Sequence, residues 1–254
     1  KAGQLTRVNI MTDTLFPGFE ECFIEHPKGR FYARIGGNAT SPALVLLHGF
    51  PETHASWHHI APALAQSHRV ICLDLKGYGR SCVLPGDAAH EEYAKRTMAQ
   101  EVIDVMATLG HQRFSIAGHD RGALIAYRIA LSWPEKVEKL VLLDNLPVSK
   151  VWEIMDDNPL ATPHWRTFAL PAGAPEQYMT QANLEEILRV HTADGSLNCF
   201  TDEALEDFRR SWREPERVHA FCEDYRAGAW QDVEDDRRDL AAGKIITAPT
   251  SCQA

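Results

Sequence analysis

Two stretches of strand length, residues 43–47 and 70–73, are apolar at every position, and a third, 139–144, sets four apolar residues between Lys139 and a terminal acid. Unbroken runs of this kind suit strands of a parallel sheet whose two faces are both covered by helices. Between the first two, residues 57–65 carry apolar positions at helical spacing and predict the crossover. A second helix is predicted over 97–109, where Met98, Val102, Val105, Met106 and Leu109 share one face and Gly110 follows as a stop. Nearer the start, two short extended runs within 21–35 flank His26-Pro27-Lys28-Gly29, a turn composition that predicts an antiparallel hairpin at one edge of the sheet. After Leu146 the alternation of strand and helix stops. A long helical, aromatic-rich stretch follows before the next strand candidate, 244–248. Within it Leu205, Phe208 and Trp212 form one apolar helix face, and Val218, Phe221, Cys222 and Tyr225 form another that begins at Pro215. The pattern therefore divides the chain into a core over 11–147, a helical cap over 148–238 and a return to the core over 239–254. A cap of this kind covers a site and excludes water from it.

The chemistry concentrates in Phe114-Ser115-Ile116-Ala117-Gly118-His119-Asp120-Arg121-Gly122, which reads as a strand running through a sharp turn into a helix over 122–131. Asp120 sits at the tip, with a glycine two positions before it and another two after. A strained strand-to-helix turn leaves no room for a Cβ on those flanks. Such elbows usually present Ser; this one presents Asp. A carboxylate attacking an acyl carbon would form an unstable anhydride, whereas attack on a saturated carbon forms a plain ester. The predicted reaction is displacement at an sp³ carbon followed by hydrolysis of an alkyl ester on Asp120. The loop His48-Gly49-Phe50-Pro51-Glu52 leaves the first apolar strand, and its Phe50 N–H is predicted to form an oxyanion hole with the N–H of Arg121. Asp144, at the end of the strand after the elbow helix, is placed to orient a histidine.

Composition narrows the partners. The chain has 254 residues, 44% of them hydrophobic, enough for one α/β domain with an inserted subdomain. Its formal charge of −9, from 35 acidic and 26 basic residues, speaks against nucleic acid and offers no basic membrane patch. Cys22, Cys72, Cys82, Cys199, Cys222 and Cys252 show no Cys-x-x-Cys pair and no regular spacing, so neither a zinc site nor a disulfide framework is indicated, and a reduced cytoplasm is the expected home. Residues 1–10 lack the apolar core of a signal peptide and no run reaches a membrane span. Met11 is a candidate natural start. His54, His58, His59 and His68 share no spacing with a carboxylate or thiol that would make a metal site, and His54 reads as a solvated loop histidine near the substrate mouth. The glycine-rich loop 74–81 lacks phosphate-loop spacing. No cofactor and no metal is expected; the expected partner is a small-molecule substrate, and a homodimer is left open.

These motifs, in their order and spacing, resemble the fluoroacetate (haloacetate) dehalogenases of the α/β-hydrolase superfamily. The similarity runs from Leu15-Phe16-Pro17-Gly18-Phe19 through His48–Pro51, Gly118–Gly122, Leu143-Asp144 and His164-Trp165 to Cys222-Glu223-Asp224-Tyr225-Arg226-Ala227-Gly228, nearly the whole chain. It implies an α/β-hydrolase fold, a mostly parallel central sheet with a helical cap insertion. It implies that Asp120 attacks the halogen-bearing carbon, that Asp144 is the triad acid, that Arg121 binds the substrate carboxylate, and that His164, Trp165 and Tyr225 donate to the departing halide. Two departures stand out. The family's second carboxylate-binding arginine falls on Leu124, an apolar residue that would suit a neutral or larger substrate. The family's water-activating histidine comes from a loop after the last core strands, and here no histidine follows His219, so the chain is expected to lack its closing strand, helix and general base, as a fragment or a truncated product. Epoxide hydrolysis is the catalytic alternative: it shares the Asp elbow and the His48–Glu52 loop but wants two cap tyrosines where His164-Trp165 leaves Tyr225 alone. A non-catalytic binding scaffold is the alternative of a different class.

Overall fold

The computed structural model describes residues 5–8 and 14–253. Its described strands make one eight-stranded sheet in the order β1-β2-β3-β5-β4-β6-β7-β8. β1 (Leu5–Val8), β2 (Glu20–His26) and β3 (Gly29–Gly36) are antiparallel neighbours, and β3 runs antiparallel to β5 (Arg69–Leu73). From there β4 (Ala43–Leu47), β6 (Phe114–His119), β7 (Val137–Leu143) and β8 (Thr250–Gln253) continue in parallel. The predicted hairpin is present, but β1 lies outside it, paired Leu5 to Ile24, so the hairpin stands one strand in from the edge.

Both faces of the central strands are covered, as their continuous apolar sequence requires. Val45 and Leu47 of β4 and Ile71 and Leu73 of β5 enter one core, whereas Leu44, Leu46, Val70 and Cys72 enter the other. The first core is the larger. It takes in Val102, Val105 and Met106 of α2 (Lys95–Thr108) and Ala126 and Ile129 of α3 (Arg121–Ser132). The predicted crossover helix over 57–65 is corrected: a 3₁₀ turn occupies His54–Trp57 and a single α turn, α1, occupies Ala61–Leu64. Pro62 explains the break, because its ring is accepted in a first helical turn and would interrupt a helix begun upstream.

Seven helices connect β7 to β8: α4 (Val148–Asp157), α5 (Pro163–Phe168), α6 (Ala174–Tyr178), α7 (Gln181–His191), α8 (Asp202–Trp212), α9 (Pro215–Ala229) and α10 (Gln231–Ala241). Trp165, Phe168, Leu184, Phe208, Trp212 and Phe221 join the same hydrophobic cluster as α2 and α3, so cap and core share one interior. Charge ties them as well. Arg128 on α3 pairs with Asp236 (2.6 Å) and with Asp239, and Arg96 on α2 pairs with Asp235 (2.9 Å).

The predicted last strand is also corrected. Residues 244–248 form an irregular link, and β8 begins at Thr250, where the Pro249 carbonyl accepts from the Leu140 N–H at 2.9 Å. The Ile245-Ile246 pair that suggested a strand is a bridging segment, with Ile246 partly packed on the core and Ile245 exposed. The true strand is fully exposed Thr-Ser-Cys-Gln, held by backbone register to β7 and so without an apolar signature.

Candidate active site

β5 and β6 lie on opposite sides of β4, so the chain crosses over β4 and the loops leaving β4 and β6 meet at its carboxyl end. This is where open α/β sheets form their binding crevice. Asp120 stands there between β6 and α3 at φ 46° and ψ −116°, outside the regions favoured by a residue with a Cβ. The flanking glycines permit the turn. A Cβ on Gly118 would come within 2.4 Å of the Gly122 carbonyl, and one on Gly122 within 2.3 Å of the Leu47 carbonyl.

The Phe50 N–H donates to Asp120 Oδ2 at 2.8 Å, and the Arg121 N–H also donates to this carboxylate. The two predicted oxyanion donors are thus gathered on one side chain. Burial pushes the Asp120 carboxyl up; the charges of His119 and Arg121 and the two N–H groups only partly offset it, leaving its pKa above the ordinary value.

Beside Asp120 lies a pair to which the sequence analysis assigned no role. His119 Nδ1 is 3.4 Å from Glu52 Oε2, which also accepts from the Gly49 N–H at 3.3 Å. Burial disfavours the imidazolium, but Glu52, then Asp120 and Asp144, raise its pKa to about 9, so it is charged at neutral pH. Both residues lie within the quoted motifs. Only their fold-dependent contact was hidden.

A cavity of about 360 Å³ opens onto Asp120. Leu124, Asp144, His164, Trp165 and Tyr225 also line it, together with Val151, Ile187, Leu188, His191 and Phe200. His164, Trp165 and Tyr225 come together by ring contact: Trp165 and Tyr225 meet at 5.7 Å between centroids and 87°, His164 and Tyr225 at 5.9 Å and 82°. Among the described residues none of their polar ends has a protein hydrogen-bond partner. Burial, followed by the negative charge of Asp120, holds the Tyr225 hydroxyl well above its ordinary pKa, so it keeps a proton to donate. Burial, then His191 and Arg121, push His164 down to about 4, which makes it neutral.

Arg121 divides into two roles. Its backbone faces Asp120, while its fully buried guanidinium turns to Asp224 of α9, donating from Nε to Oδ2 at 3.0 Å and from Nη2 to Oδ1 at 2.8 Å and to the carbonyl at 2.7 Å. It stacks on Tyr225 (4.3 Å) and Trp165 (4.8 Å) and is not part of the cavity lining. Lys95 and Tyr78 complete the set around Asp224. Burial opposes ionisation of Asp224, but Arg121 and Lys95 hold its carboxyl well below the usual range.

Asp144 reaches the same cavity from the end of β7, at φ 49°, with its N–H donating to the Gln253 carbonyl at 2.7 Å and its side chain exposed. His54 departs from the solvated loop expected of it. It is buried, and its Nδ1 lies 2.8 Å from Asp74 Oδ1, because the buried carboxylate at the end of β5 requires donors and also takes the His54 N–H at 2.7 Å.

The profile of the alpha/beta hydrolase fold family matches residues 42–237. Fluoroacetate dehalogenase of Burkholderia sp is 37% identical over 240 residues, 92% of this chain and 77% of that protein. The chain belongs to the α/β-hydrolase family and resembles its fluoroacetate dehalogenases. Soluble epoxide hydrolase of Corynebacterium sp. (strain C12) is 29% identical over 76% of the chain and 67% of that protein. Among solved structures, a candidate epoxide hydrolase from Pseudomonas aeruginosa is 35% identical with a TM-score of 0.86, over 95% of this chain and 80% of that one. Among the described residues no helix is long and apolar enough to cross a membrane.

Proposed function

We propose that this chain is a dehalogenase that breaks a carbon–halogen bond by displacement at saturated carbon, the activity carried by the name of its Burkholderia relative. Oδ2 of Asp120 is held by the Phe50 N–H, which leaves Oδ1 as the attacking oxygen. A C–O bond forms as the carbon–halogen bond breaks, and the bonding pair leaves on the halide. The charge that develops there meets the indole N–H of Trp165, the Tyr225 hydroxyl and the His164 ring N–H. Three donors in a site shielded by the cap stabilise a departing anion far better than they would in water.

The single observation carrying the reading is this opposition of an elbow carboxylate to three polar ends that have no protein partner among the described residues. Water then adds to the ester carbonyl at Asp120, the N–H groups of Phe50 and Arg121 hold the resulting oxyanion, and the alcohol departs with a proton.

An epoxide hydrolase must protonate an alkoxide, commonly from two tyrosines, whereas Tyr225 is the one tyrosine among the described lining residues. A parallel assay tests the choice: halide from a panel of organobromides and diol from matched epoxides, each with Asp120→Asn as blank. Asp120-dependent halide without diol supports dehalogenation, and diol alone overturns it.

A further inference from the structure

The chemical class of the substrate can be read from what the cavity holds and what it withholds. Among its described lining residues there is no lysine or arginine, while three carboxylates, Glu52, Asp120 and Asp144, face it. The single cation, His119, is engaged by Glu52. The guanidinium nearest the nucleophile, that of Arg121, is matched by Asp224 and lies behind the rings of Trp165 and Tyr225, which form the wall in its place. A substrate carboxylate would enter a field of like charge, since the one guanidinium nitrogen of Arg121 that Asp224 leaves unpaired, Nη1, is buried outside the described lining.

At its other end the cavity is apolar. Leu124, Leu146, Val151, Ile187, Leu188 and Phe200 line it, and its volume of about 360 Å³ falls in the range that accepts ligands much larger than a haloacetate.

We propose that the substrate is a neutral organohalide bearing an apolar tail, with the halogen-bearing carbon at Asp120 and the tail along Leu124, Leu146, Val151, Ile187, Leu188 and Phe200. The proposal rests on the Asp120 displacement reading and narrows it. Uptake of a neutral tail needs no countercharge, and every methylene buried against this wall adds to binding.

The test compares 2-bromoacetate with its neutral isostere 2-bromoacetamide, and 1-bromopropane with 1-bromohexane. Initial halide release by the 254-residue protein is corrected by Asp120→Asn, which removes halide released by the free cysteines. Each rate is divided by that of the same compound with free acetate. The expected result is that bromoacetamide exceeds bromoacetate by about tenfold or more, and that bromohexane exceeds bromopropane by about fourfold per added methylene. Leu124→Arg, if folded by circular dichroism, should raise the ratio of bromoacetate to bromoacetamide release at least about tenfold; if it does not fold, the unsubstituted pairs still decide. Asp120-dependent release that favours bromoacetate, or is indifferent to tail length, overturns the proposed substrate class and leaves the displacement reading standing. No Asp120-dependent halide from any of the four overturns the displacement reading itself.

Discussion

At the scale of single residues, side chains that touch one another do different kinds of work. Trp165 and Tyr225 stack on Arg121, yet among the described residues their polar ends have no protein partner. Trp165→Phe and Tyr225→Phe should therefore each lower the first-turnover rate of halide release by roughly 10²-fold, the scale for removing one donor from a developing anion. The loss should be larger for fluoride than for bromide, because fluoride draws more on the donors. Equal small losses for both halides would remove these residues from the halide site. His119 makes a different prediction. Its folded pKa of about 9 lies above the ordinary 6.5, so its stabilising contribution is complete below about 6.5 and is lost as pH rises through about 9. The difference in melting temperature between the protein and His119→Gln should accordingly shrink across that window; a difference constant with pH would show that the Glu52 contact carries no charge. The pairing of His119 with Glu52 was not legible beforehand. Glu52 and His119 are 67 positions apart, and only the crossover of the sheet joins their loops.

At the scale of elements, the elbow and α9 do most of the positioning. The elbow was legible because backbone sterics act over five consecutive residues: Gly118 and Gly122 approach carbonyl groups within 2.4 and 2.3 Å of where a Cβ would stand. Helix α9 was legible as an apolar face, and Val218, Phe221, Cys222 and Tyr225 are indeed buried. Its Asp224 was not, since an acid inside an apolar face reads as exposed until its partners are known. It carries Arg121 and Lys95 between cap and core, so Asp224→Asn leaves two buried cations undercompensated. The expected cost is about 3–5 kcal/mol of stability, measured by urea unfolding. A loss under about 1 kcal/mol would mean that water reaches the cluster. The link over 244–248 failed in the opposite sense, because its apolar content suggested a strand while β8 is set by register alone.

At the scale of the whole molecule, the fold follows from periodicity, and the cavity from the way the cap closes over the sheet. Fully apolar strands required helices on both sides, and that requirement yields a parallel sheet with its crevice at the carboxyl ends of β4 and β6. The far wall of the cavity, Ile187, Leu188, His191 and Phe200, carried no signal, because scattered aliphatic and histidine residues in cap helices look the same whether they face a core or a ligand. The central claim, a carboxylate displacement at Asp120, is tested most directly by mass. The 254-residue protein is mixed with 1-bromohexane, quenched in acid at intervals, and digested. The expected result is a hexyl increment on the peptide containing Asp120, appearing together with released bromide, with no such increment in Asp120→Asn. Bromide released without any adduct on Asp120, or an adduct that survives Asp120→Asn, would contradict it.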